Sequence, residues 1–379
     1  MAIPSKIAET LLPKNDLNVV DLCHFSIPKD KDCPDLLSLS NKEIFSATAS
    51  MVTDGYIAFL QSLPMPTTLQ VEILQERLND YKKEISVQSL SYCYHVSILR
   101  LPLWVLDYWM EANIILEQKQ KWSPAIDWLK RRKEHEAIRL LTELPWKYQM
   151  PRSMGDHIAD LAVLCSERWL GIAQVDTMLE TLNDHLDSKR IPGTVKDVNF
   201  LRKLINIYRH SPDTYAYNAT AEFIRKFAEK LKTGEVSVVG MAVAVHYKGN
   251  TTELPIGTEV ISNHWCSLII NTNERTLHYG DSLGPAPPHE LLDVLNWWLG
   301  LSFPTPFSVV NLPITQQSDN ISCGIFAVDA LSHYFSPFLS PLTPNTLCLQ
   351  VRSERLKDAV RLLKKRVGYF RLHKLEQLN

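Results

Sequence analysis

Cys323 stands at the head of an apolar run in which Phe326, Ala327, Ala330, Leu331 and Tyr334 recur at helical spacing. A thiol in the first turn of a helix meets unpaired N–H groups and the positive end of the macrodipole, and both favour the thiolate. The thiolate is the nucleophilic form, so an activated nucleophile fits this position. Gly324 allows close backbone approach beside it. Taken alone, a buried structural cysteine is the commoner reading. His264 and Asp281 change the balance. His264 opens the apolar run from Trp265 to Ile270, and Asp281 follows the next short strand. Two antiparallel strands joined by a tight turn would bring Asp281 back to His264, to fix the imidazole tautomer and stabilise an imidazolium. Without Cys323, a surface histidine and a capping aspartate would be the plainer account. Gln317 lies six residues before Cys323. Its side-chain amide, beside the Cys323 N–H, suits a developing oxyanion, and losing one such donor costs about 3–4 kcal/mol of transition-state stabilisation. Spacing does not choose between Gln317 and the adjacent Gln316, and either would otherwise be a solvated loop residue.

These residues need a hairpin and a helix to hold them. Strands are expected over 236–247, 265–270 and 276–279, the last two joined by the turn Asn271-Thr272-Asn273-Glu274. A helix over 287–299 buries Leu291, Leu292, Leu295, Trp298 and Leu299, a strand follows over 307–311, and a helix over 323–335 carries the cysteine. Upstream, 155–182 reads as two helices around Arg168-Trp169-Leu170-Gly171. Residues 213–232 read as an amphipathic helix with Phe223, Ile224, Phe227 and Leu231 on one face and Gly234 as its stop. The basic helix over 352–367 reads as a solvated face. Before residue 150 the pattern is mostly helical. Helices are expected over 44–63 after Ser40-Asn41-Lys42-Glu43, over 71–85, from Pro102 onward, and once or twice over 122–146. The Lys130-Arg131-Arg132-Lys133 cluster reads as a solvated helix face rather than a nuclear signal. The layout is α+β, with a mostly helical N-terminal region over 1–150 and the candidate chemistry in 151–379.

Asn263-His264-Trp265, then Tyr279-Gly280-Asp281-Ser282-Leu283, then Gln317 five positions clear of Cys323-Gly324 resemble the ubiquitin-like protein proteases, the Ulp and sentrin-specific protease family. The order His, Asp, Gln, Cys differs from papain-like enzymes in which cysteine comes first. The resemblance covers roughly residues 155–370. It implies a papain-like cysteine protease fold of the Ulp type and processing or isopeptidase activity on SUMO-like modifiers after a Gly-Gly tail. By this match His264 is the general base, Asp281 its orienter, Cys323 the nucleophile and Gln317 the oxyanion donor. Trp265 is an apolar wall beside the pair. Arg168-Trp169-Leu170 is similar to the family's early Trp-Leu segment, which implies that Trp169 covers the Gly-Gly tail; core packing is the competing role. The family often has Asp just before the nucleophile and Asn four before it, where this chain has Ser322 and Asp319. The segment from Leu101 to Trp109 is similar to one in Ulp-type proteins of mushroom-forming fungi and assigns no role to residues 1–150.

Composition narrows the classes. Of 379 residues 45% are apolar and 22% charged, which suits globular domains. With 40 basic and 42 acidic residues there is no basic surplus to release counterions from nucleic acid. No run of about 20 uncharged apolar residues predicts a membrane helix, and the first residues do not read as a secretory signal. Seven scattered cysteines, an odd number, argue against a disulfide framework and for an intracellular setting, nucleus or cytoplasm. No phosphate-binding loop, dinucleotide fingerprint or Cys-x2-Cys pair occurs, so neither cofactor nor metal is expected. The expected partner is a SUMO-like or other ubiquitin-like modifier with its conjugates. The main alternative is a degenerate module that binds such a modifier without cutting it. Acetyl transfer, which uses a similar His, acid, Cys order, is opposed by Gln317 and Trp265.

Overall fold

A computed structural model describes residues 2–28, 33–50, 60–83, 85–94, 97–148, 150, 157–249, 251–255 and 262–376. The chain divides into two compact units, residues 1–127 with 141–147, and 128–140 with 148–379. No helix among the described residues is long and apolar enough to cross a membrane. No disulfide joins the cysteines.

The first unit holds a three-stranded antiparallel sheet, β1 (Phe45–Ser46), β2 (Ser89–Tyr94) and β3 (Ser97–Pro102). Helix α1 (Thr68–Tyr81) starts at a capping box between Thr67 and Gln70. It packs Val71, Leu74 and Leu78 with Leu90, Leu101, Val105 and Trp109 in one buried cluster. The long helix α2 (Val105–Arg131) follows β3. Two expectations are corrected here. Ser40 and Glu43 do form a capping box, but the helix spans only Asn41–Ile44, because Phe45 and Ser46 pair with Leu90 and Ser89. Residues 51–59 of the expected helix lie outside the described residues. Pro102 ends a strand rather than opening a helix, since Leu101 is held in register opposite Leu90.

The second unit is built on a sheet of order β4-β5-β7-β8-β9, with β6 paired to β5. Its strands are β4 (Thr194–Lys196), β5 (Val238–Lys248), β6 (Thr251–Glu253), β7 (His264–Asn271), β8 (Thr276–Gly280) and β9 (Ser308–Asn311). β7 pairs antiparallel with both β5 and β8, while β4 and β9 pair in parallel with β5 and β8 at the two edges. All eight residues of β7 are buried, so both faces of the sheet are covered. Its helices are α3 (Ile172–Lys189), α4 (Val198–His210), α5 (Glu222–Lys232), α6 (His289–Gly300), α7 (Cys323–Phe335) and α8 (Cys348–Glu376). On one face Met241, Val243, Cys266, Leu268 and Leu277 join Leu204 of α4, Phe227 of α5 and Trp298 of α6. Each such side chain contributes about 1.5–3 kcal/mol when fully buried. On the other face lies α7, where the Ser267 hydroxyl donates to the Ala327 carbonyl at 2.8 Å.

Local differences from the expected elements have packing causes. The region before Trp169 is a 3-10 helix, Ile158–Cys165, and α3 starts after Gly171, whose N–H is satisfied by Gln174. Helix α5 starts at Glu222, and Phe223 stays half exposed beside the buried Ile224, Phe227 and Leu231. In α6, Val294 rather than Leu292 is fully buried. Helix α7 has the bounds the apolar spacing predicts.

Candidate active site

Strand β7 and the turn after it position the first two candidates. The Asn271 side chain accepts from the N–H groups of Asn273 and Glu274, which tightens the turn, and Arg275 takes a positive φ of 56° to close it. Ladder pairing from Asn271–Thr276 to Ser267–Gly280 then returns the chain alongside β7. Asp281 follows directly. Its Oδ1 lies 2.8 Å from His264 Nε2, and both residues are almost wholly buried. Ahead of His264, Asn263 extends the pairing with β5 by accepting from the Tyr247 N–H at 2.7 Å. The Tyr247 ring sits 5.8 Å from the imidazole.

Asp281 is held at both oxygens. Oδ1 also accepts from the Leu283 N–H at 2.8 Å, and Oδ2 accepts from the Cys266 thiol at 3.1 Å and the Tyr279 hydroxyl at 3.5 Å. Burial works against its charge. The bonds from His264, Leu283 and Cys266 outweigh burial and hold the carboxyl below its usual value. Burial and the neighbouring carboxylate push the Cys266 thiol well above its ordinary value, so it stays protonated and donates. Sequence reasoning missed Cys266 and gave Tyr279 no role. Their alternation with His264 and Asp281 along adjacent strands is the signal that could have found them.

Cys323 is the first residue of α7 and is 1% exposed. Cys323 lies close enough to His264 to act on its imidazole together with Asp281. With Nε2 committed to Asp281, Nδ1 is the ring nitrogen left for the cysteine. Burial alone would lower the imidazole, yet its bond to the Asp281 carboxylate, that group's charge and the adjacent Cys323 raise it to about 9. The imidazole is therefore protonated at neutral pH, poised between a carboxylate and a sulfur.

The loop before Cys323 is shaped by Asp319. Its carboxylate accepts from the N–H groups of Ile321 and Ser322, both at 2.8 Å, and from the Ser322 hydroxyl at 2.5 Å. The Cys348 thiol in turn reaches Ser322 Oγ at 2.8 Å. Asp319 and Ser322 thus form one connected turn at the helix start. Gln317 lies on the same loop. Its Oε1 accepts from the Ser282 hydroxyl at 2.7 Å and its Nε2 donates to the Asp319 carbonyl at 2.8 Å. That bond uses one of the two N–H groups of the amide. Gln316 instead donates to the Asp281 carbonyl at 3.3 Å.

Trp265 is fully buried, and its indole N–H donates to the Leu170 carbonyl at 2.7 Å. Trp169 stacks on it with ring centres 5.6 Å apart and planes at 14°. The Trp169 indole N–H is buried and has no hydrogen-bond partner among the described residues. A Cβ on Gly324 would come within 3.3 Å of both Leu170 Cβ and Trp265 Cδ1, so a larger residue here would press the start of α7 against this pair.

The basic helix is the solvated face its charge pattern suggests only in part: Arg361, Lys364 and Lys365 are exposed, but the basic residues before them are not. Arg352 is 0% exposed and Lys357 5%. Arg355 is ion-paired to Asp329, and Lys357 lies among Glu134, Glu136 and Glu354. A cation set among acids or carbonyls of distant segments looks the same in sequence as one facing water.

His264, Cys266 and Asp281 offer ligand atoms within 4.8 Å of one another, a spacing that could suit a metal ion. Their mutual hydrogen bonds account for that closeness, and a thiol that keeps its proton is a poor ligand.

Residues 251–358 match the model of the Ulp1 protease family, C-terminal catalytic domain. No curated protein matches the chain. Among solved structures it is similar to a SUMO protease Ulp1 with the catalytic cysteine oxidised to a sulfonic acid, at 17% identity and a TM-score of 0.44, over 62% of this chain and 95% of that one. It is similar to the C-terminal Ulp1 protease domain in complex with Smt3, the yeast ortholog of SUMO, at 17% identity and TM-score 0.39, over 57% and 86%. It is similar to the Ulp1-like SUMO protease catalytic domain of Chaetomium thermophilum at 17% identity and TM-score 0.36, over 52% and 72%.

Proposed function

We propose that this chain, which carries the C-terminal catalytic domain of the Ulp1 protease family over residues 251–358, is a cysteine peptidase that cuts after the Gly-Gly tail of a SUMO-like modifier. The observation that carries this reading is the buried imidazole of His264, hydrogen-bonded to Asp281 and beside Cys323. That arrangement is what a thiolate–imidazolium pair requires.

The Cys323 sulfur attacks the carbonyl of the terminal glycine, and the oxygen takes up the negative charge. The Cys323 N–H at the start of α7 and the second N–H of Gln317 are the donors that stabilise it. His264 then gives its proton to the leaving amine, a lysine side chain or the first residue of a short extension. The C–N bond breaks and a thioester remains. Neutral His264 next takes a proton from water, which attacks the thioester and releases the modifier and the thiol. Asp281 keeps the ring oriented and stabilises its charged form. The stacked Trp169 and Trp265 suit a tail of two residues without side chains. A tail carbonyl would satisfy the buried Trp169 N–H, which otherwise costs about 1–3 kcal/mol.

The test is a panel of modifiers ending in a Gly-Gly electrophile, SUMO, Nedd-type and ubiquitin, read by intact mass and peptide mapping. A covalent adduct on Cys323 with at least one probe, absent in a folded Cys323→Ala variant, is expected. A folded wild-type sample that binds a probe tightly and never labels would make the protein a binding module.

A further inference from the structure

We propose that Arg352 is a positioning residue: one guanidinium beneath the nucleophile loop sets the separation between Cys323 and the Trp169 segment. The inference rests on the peptidase reading above.

Arg352 lies in the second turn of α8 and is fully buried. Its Nη1 donates to the Ser166 carbonyl at 2.8 Å and reaches the Val163 carbonyl at 3.5 Å. Its Nη2 donates to the Arg168 carbonyl at 2.7 Å and to the Ile321 carbonyl at 3.0 Å. One nitrogen therefore joins the peptide before Trp169 to the loop two residues before Cys323. The peptide after Leu170 is held by Trp265, whose neighbour in sequence is His264. Trp169 is thus fixed to the nucleophile through Arg352 and to the base through Trp265.

A buried cation is costly unless its donors are satisfied, and although Nη1 and Nη2 are bonded, Nε is buried with no hydrogen-bond partner among the described residues, so packing alone does not account for this placement. Four carbonyl acceptors on two segments suit a rigid planar fork. An ammonium, a point charge on a flexible stem, does not span them. One turn earlier on the same helix, Cys348 contacts the Ser322 hydroxyl. The start of α8 therefore grips the nucleophile loop at both the side chain of Ser322 and the carbonyl of Ile321.

The test compares wild type with Arg352→Lys and Arg352→Met. Amide hydrogen exchange reads the link directly: residues 168–170 and 321–324 lose protection together, while β7 keeps its own. The second readout is chemical. Alkylation of Cys323 by iodoacetamide stays within about threefold of wild type, whereas kcat/KM for a Gly-Gly substrate falls ~10–100-fold, because a displacement of about 1 Å in the substrate-holding wall costs up to that much. A purely structural role would lower both rates together, in step with the folded fraction. Wild-type exchange in both segments, loss in one alone, kcat/KM and alkylation falling in parallel, or failure of both variants to fold would each overturn the proposal. If wild type itself turns over no Gly-Gly substrate, the peptidase reading fails, and exchange alone decides on Arg352.

Discussion

Asp281 uses both carboxylate oxygens, one on His264 and the other on Cys266 and Tyr279. A carboxylate that keeps its charge in so buried a place raises its histidine partner, and the consequence is a pH profile. His264 sits at about 9 against an ordinary 6.5. A raised group contributes stability that is complete below about 6.5 and lost as pH climbs through about 9. Asp281, lowered from 3.8, contributes stability present above that value and lost as pH falls through its folded one. The alkaline limb of kcat/KM should therefore centre near pH 9, where the proton for the leaving amine disappears. A limb centred near 6.5 would mean that Asp281 and Cys323 do not act on the imidazole together. At this scale the sequence was legible where a residue type is rare and its setting local. Cys323 heads an apolar helix, and His264 and Asp281 flank a turn. Cys266 was not legible, because nothing in one chain separates a thiol that supports a carboxylate from one that fills a core.

Helix α7 brings its second residue, Gly324, against the indole of Trp265 and the side chain of Leu170. Gly324→Ala should cost about 1–3 kcal/mol through overpacking. It should lower the melting temperature and also slow turnover, because any relief moves Cys323 relative to His264. Thermal denaturation and kcat/KM measured on the same sample check this, and an unchanged melting temperature would mean that α7 has slack at its start. The hairpin of β7 and β8 and the bounds of α7 could be read from alternation, turn residues and helical spacing. The short strands of the first unit could not. Phe45 and Ser46 leave a helical pattern only because Leu90 and Ser89, far along the chain, pair with them. Arg352 failed to show for the same reason, since its four acceptors come from two stretches of sequence far from it.

Residues 128–140 belong with the second unit although they precede residue 150. Glu134 and Glu136 reach Lys357, and Glu136 also binds Arg361 at 2.6 Å. A fragment starting at Trp128 should therefore melt at a higher temperature than one starting at residue 151, which leaves Lys357 buried with Glu354 as its acidic contact from this set. Equal melting temperatures would place the working boundary near 150. The order in which the chain can assemble its chemistry follows from the β7–β8 hairpin. Its turn spans few residues, and hairpins close in roughly 1–10 μs. Cys323 arrives only after α6 has crossed over and β9 has docked in parallel, a slower, non-local event. In a refolding chain, His264 and Asp281 meet while the thiol is still outside. Pulsed thiol labelling should find Cys323 reactive after the β7–β8 amides are protected, and the reverse order would refute this. A newly made copy would then hold its base and orienter for a time without a nucleophile, so the last step of folding would also be the step that arms it.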